Sequence, residues 1–126
     1  MSAFDWRPTL QDFTLLSAAW MLNQQVTTHD AAGAVVPDDG EYQRQGAEKV
    51  FVFAEFLKSK GLLRDGVDVT RRPDLEIRFS DLTPSGQMFS RFALDRWMRS
   101  LDRAGMKPVT AQGLARLWEK FIASPR

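Results

Sequence analysis

Apolar residues recur along this chain at helical spacing in four stretches, with one interval of strict alternation between the second and third. The clearest stretch is the second. Val50, Phe51, Val52, Phe53, Phe56 and Leu57 make a helix that is apolar on almost every side, and such a helix must be enclosed by other elements. The pattern predicts this helix from Asp39 or Gly40 to Lys60, with Gly61 as its stop and Leu62 folding back on the last turn. A first helix is predicted from Pro8 or Thr9 to about Gln24. Thr9 and Asp12 cap it, and Leu10, Phe13, Leu16 and Trp20 form its buried stripe. A third is predicted from Thr83 to about Ala104. Pro84 stands at the favoured first position, and Phe89, Phe92, Ala93, Trp97 and Leu101 face inward. A fourth starts at Thr110 and carries Leu114, Leu117, Trp118 and Phe121. Trp20, Trp97 and Trp118 therefore all read as core, whereas Trp6 precedes the first helix.

Alternation in Val67–Thr70 and again in Leu75–Phe79 predicts a two-stranded hairpin turning at Arg71–Asp74. Its Val67, Val69, Leu75, Ile77 and Phe79 would face the helices, because an isolated hairpin is only marginally stable. Residues 25–40 carry neither period and end in the turn signal Pro37-Asp38-Asp39-Gly40. They read as a long surface loop, the kind of segment that carries contacts without disturbing a core. The expected fold is α+β and mainly α: about four helices around a central apolar helix, with one small antiparallel β-hairpin, in a single domain spanning 1–126.

Composition narrows the function classes. The absence of Cys removes disulfides and thiolate metal sites. The longest strongly apolar run, Phe13–Leu22, is too short to span a bilayer. Asp5 and Asp12 stand where a signal peptide would need positive charge, so a cytoplasmic protein is expected. Twelve of the seventeen basic residues are Arg, the usage of a GC-rich bacterial genome. The net charge of +1 conceals an acidic front and a basic back. Residues 1–70 hold 6 Lys/Arg and 10 Asp/Glu, and residues 71–126 hold 11 and 6.

No catalytic set emerges. His29 is the only histidine, and although Asp30 follows it and Asp38 and Asp39 lie nearby, no spaced partner completes a metal site. No Gly-x-Ser-x-Gly turn and no phosphate-cradling glycine loop occurs. Asp38, Asp39 and Glu41 do not follow a calcium-loop spacing and instead suit the start of the second helix. Neither a cofactor nor a metal is expected.

Gly61-Leu62, the arginine pair Arg71-Arg72 with Pro73-Asp74, and Leu82-Thr83-Pro84-Ser85-Gly86 follow one another in Phe56–Phe92. In that order the segment resembles the wing and following helix of MarR-type winged-helix regulators, over less than a third of the chain. The front half does not follow the family, since residues 25–40 stand where its positioning helix would be. The resemblance implies nucleic-acid binding with Arg71, Arg72 and Arg78 as wing contacts to phosphate. Arg96 and Arg103 of the third helix would add to that basic surface.

Together these readings favour a non-enzymatic bacterial protein that binds another protein, with immunity- or antitoxin-like occlusion of the partner as its concrete form. His29, Asp30, Asp38, Asp39 and Glu41 are the expected contact residues. Nucleic-acid binding through the five arginines is the alternative, and self-association is compatible with either.

Overall fold

The computed structural model describes residues 12–25, 28–36, 40–104 and 108–123. Among them are four α-helices, α1 (Ala18–Leu22), α2 (Glu41–Ser59), α3 (Pro84–Ala104) and α4 (Gln112–Ala123). Strands β1 (Thr14–Ser17) and β4 (Glu76–Arg78) form one two-stranded antiparallel sheet. Strands β2 (Thr28–His29) and β3 (Val35–Val36) form another. The fold is thus α+β and mainly α, with α2 as its central apolar helix. None of the described helices is long and apolar enough to cross a membrane.

The aromatic centre of α2 is interior. Val50, Phe53, Ala54 and Leu57 are fully buried, and Val52 and Phe56 nearly so. Phe89 of α3 ties three helices together. Its ring centroid lies 5.7 Å from Phe56 of α2, 5.3 Å from Trp118 and 5.4 Å from Phe121, both of α4. Trp97, about two turns further along α3, packs 5.7 Å from Phe53. Helix α2 ends as its sequence predicts. Gly61 adopts φ 68°, its N–H donates to the Lys58 carbonyl (3.1 Å), and the Leu62 N–H donates to that of Leu57 (2.9 Å).

The joint between α2 and α3 is equally specific. Leu63 bridges Leu82, and the Leu62 carbonyl accepts from both the N–H and the hydroxyl of Thr83. Thr83 Oγ1 in turn accepts from the Gly86 N–H (3.1 Å), which caps α3 ahead of Pro84. A β-carbon at Gly86 would lie 2.3 Å from the Leu62 carbonyl oxygen, so the residue there must be glycine.

Four expectations change. The first helix begins only at Ala18; Thr14–Ser17 is a strand, and Pro8–Gln11 lie outside the described residues. The strand is held because Asp12 anchors its start. Its carboxylate accepts from the Ser80 N–H and hydroxyl (3.0 and 2.8 Å) and from Arg78 Nε (2.7 Å). Ser17 then caps α1 by accepting from the Trp20 N–H (3.1 Å). Second, β4 pairs with β1, not with Val67–Thr70: Leu16 lies opposite Ile77 and Ser17 opposite Glu76. Residues 67–70 cannot extend, because the Asp68 carboxylate curls the chain by accepting from the Thr70 N–H (2.9 Å) and hydroxyl (2.6 Å). Third, the supposed 25–40 loop contains a hairpin, with His29 opposite Val35. Fourth, Gln112, not Thr110, is the first residue of α4, a two-residue difference typical of helix ends.

Candidate functional site

Helix α1 is one and a half turns long, so its burial is set by very few residues. Ala18 is fully buried, and Met21 and Leu22, three and four positions on, share its face. Trp20 stands two positions from Ala18, about 200° around the axis, and is 62% exposed. This overturns its expected place in the core. Met21 packs against α2 at Gly46, where an added β-carbon would lie 3.1 Å from the Met21 β-carbon. The exit of α1 is fixed by Gln43 of α2, whose amide donates to the Gln24 carbonyl (2.8 Å).

Helix α2 presents Tyr42, Gly46 and Lys49 along one side at i, i+4 and i+7, and Tyr42 is 59% exposed. Helix α3 contributes Met98, Leu101 and Asp102 at i, i+3 and i+4. Between these faces and Trp20 lies a groove of about 350 Å³, close to the lower end of the ~300–1,000 Å³ range of ligand clefts. Lys49 Nζ reaches across to Asp102 Oδ1 at 3.3 Å. Trp20 and Met21 also line an adjoining hollow over β1, with Thr14 and Glu76 on its far side.

The residues expected at a protein contact are spread over separate structures. His29 is exposed on β2. Asp30 shapes its own hairpin: Oδ1 accepts from the N–H groups of Ala32 and Ala34, both at 2.9 Å, and Gly33 closes the turn with φ 86°. Glu41 opens α2, where it suits the helix dipole, and it accepts from Arg44 and Gln45. Asp38 and Asp39 lie outside the described residues, as does Trp6.

Four of the five arginines expected at phosphate are engaged within the protein. Arg71 is clamped between Glu55 (2.7 Å) and Glu48 (2.8 Å) of α2 and lies over the Phe51 ring. The Glu55 and Glu48 hydrogen bonds raise its pKa, and Arg71 in return lowers that of Glu55. Arg72 pairs with Asp68 (3.0 Å) and Asp74 (2.9 Å). Arg78 pairs with Asp12, whose carboxyl its hydrogen bond, aided by Ser80, pulls down to about 2. Arg96 stacks on Phe92 of its own helix at 4.3 Å, and Arg103 is exposed in the last turn of α3. Arg71 and Arg72 therefore staple an irregular segment, Arg71 to α2 and Arg72 to Asp68 and Asp74.

Sequence reading missed Trp20 and Tyr42. The signal for Trp20 was Ser17, which resets the helix start and with it the buried face. The signal for Tyr42 was Lys49, a charge on the same side of α2. The chain matches no family model, no curated protein and no solved structure.

Proposed function

We propose that the protein acts by binding another protein, without catalysis, through the face formed by Trp20, Tyr42 and the groove between them. The observation that carries this reading is the placement of two half-exposed aromatic rings at one apolar, three-element groove. Large aromatic side chains exposed beside a pocket have the chemistry of interface anchors, each supplying much apolar area at little cost in side-chain entropy. Met21 and Met98 add an adaptable lining. The hairpin β2–β3 joins α1 to α2 and is exposed at every residue from His29 to Val35, so it offers a second contact next to the first in sequence. Occlusion of a partner's working surface, as an immunity or antitoxin protein does, is the concrete form of this role.

The ion pairs of Arg71, Arg72 and Arg78 favour protein over nucleic acid as the partner. Phosphate would have to compete with two close carboxylates at Arg71 and at Arg72, and with Asp12 at Arg78.

A photo-crosslinking amino acid at position 20 or 42, in the native host, tests the proposal. One protein should be trapped at both positions and not at exposed Arg116 on α4. The double change Trp20→Ala with Tyr42→Ala should weaken the recovered complex by about 2 kcal/mol or more, roughly 30-fold. Crosslinking no stronger at 20 and 42 than at 116 would remove the reading.

A further inference from the structure

The charges around the groove narrow the chemistry of what it takes. Among the described residues lining the groove and the adjoining hollow, Lys49, Asp102 and Glu76 are the charged ones. The side chain of Lys49 is 20% exposed and already spans to Asp102. The carboxylates are the accessible members, with Asp102 72% and Glu76 42% exposed. Glu76 accepts from the Thr14 hydroxyl at 3.0 Å, and its nearest cation, Arg78, stands 3.7 Å away. An arriving group therefore meets the exposed carboxylates of Asp102 in the groove and Glu76 in the hollow, beside the exposed rings of Trp20 and Tyr42.

Both features select the same ligand. A guanidinium or ammonium is attracted to the face of Trp, and to Tyr less strongly, and its charge is complementary to carboxylates at the rim. The apolar part of the lining, with Met21, Met98, Leu101 and Val109, suits an aliphatic side chain or the stem of a Lys or Arg.

We infer that this groove receives a basic segment of the partner: an apolar side chain flanked by Arg or Lys, its cation set against Trp20 and Tyr42 and drawn to the exposed carboxylates of Asp102 and Glu76. The inference rests on the protein-binding role proposed above and adds the class of peptide recognised.

Short blocked peptides test it, identical in their Leu and Ser positions and differing only in carrying paired Arg, Gln or Glu. Binding is read from the indole N–H resonance of Trp20, assigned by its loss in Trp20→Phe. The Arg peptide should shift that resonance and bind about tenfold more tightly than the Gln peptide, with the Glu peptide weakest. Added salt should narrow the gap. Trp20→Ala, in which the reporting indole is gone and binding is followed by titration calorimetry, should weaken the Arg peptide about tenfold. Asp102→Asn combined with Glu76→Gln should cut the preference for Arg over Gln to under about threefold. Circular dichroism confirms that both variants are folded. Equal affinity for the Arg and Gln peptides at Trp20 overturns the basic-ligand assignment and leaves the protein-binding face standing. Failure of all three peptides to move the Trp20 resonance overturns the assignment as well, and the crosslink at positions 20 and 42 then decides the protein-binding role independently.

Discussion

Single residues at chain crossings hold this fold together, and two of them make sharp predictions. Gly86 looks in sequence like one more helix-start residue, and Leu82-Thr83-Pro84-Ser85-Gly86 is legible as a cap. Its real constraint, the Leu62 carbonyl 2.3 Å from where a β-carbon would sit, comes from a residue 24 positions earlier. Gly86→Ala should destabilise the protein by about 3 kcal/mol, the upper end of ordinary overpacking costs because the obstacle is backbone, as measured by urea denaturation. Asp12 is the second case. Its carboxyl titrates near 2 when folded, against an ordinary 3.8, because Arg78 and Ser80 hold the charged form. A depressed carboxyl stabilises the fold fully above the ordinary value and loses that contribution as pH falls through the folded one. Stability from this anchor should therefore decline between about pH 4 and pH 2. In Arg78→Gln the Asp12 midpoint, followed by carboxyl-carbon NMR, should rise toward the ordinary value.

At the scale of elements, periodicity identified α2, α3 and α4 closely and misplaced what surrounds α1. Leu10, Phe13, Leu16 and Trp20 do fall on a helical stripe, yet a stripe of four apolar residues is compatible with several structures. Ser17, by a local hydrogen bond from the Trp20 N–H, and Asp12, by distant ones from Arg78 and Ser80, decide among them and place a strand before the helix. The alternation at Val67–Thr70 was outweighed in the same way by the Asp68 turn, which leaves β4 to pair with β1 across some 60 residues of chain. The β2–β3 hairpin was legible in principle. Asp30-Ala31-Ala32-Gly33 sets an aspartate at the start of a turn and a glycine at its left-handed position. Asp30→Ala should accelerate amide exchange at Ala32 and Ala34 by about fivefold, the loss of ~1 kcal/mol of local hydrogen bonding. Because those bonds close on the hairpin itself, the overall unfolding midpoint should stay unchanged. His29→Ala, at an exposed position, should alter neither.

For the whole molecule, Phe89 and Trp20 stand at opposite extremes of burial. Phe89 is fully buried and touches aromatic rings of α2 and α4, so Phe89→Ala should cost ~3–5 kcal/mol of unfolding free energy. Trp20→Ala, at a site 62% exposed, should change unfolding free energy by no more than about 0.5 kcal/mol, while removing the proposed anchor. Denaturant titration of the two variants checks the contrast directly.

The amino-acid sequence by itself determined the apolar interior of α2, its Gly61 stop, the start of α3 and the mainly α composition of the fold. Each depends on neighbours within a few residues, where spacing and capping chemistry operate. Which aromatic rings face outward, which strands pair, and which arginines are already neutralised were decided only in three dimensions. Those outcomes depend on contacts between segments far apart in the chain: Asp12 with Ser80, Arg71 with Glu48, Leu62 with Gly86. The candidate site follows from them, because Trp20 and Tyr42 acquire a common groove only once α1 is turned by its strand and set against Gly46.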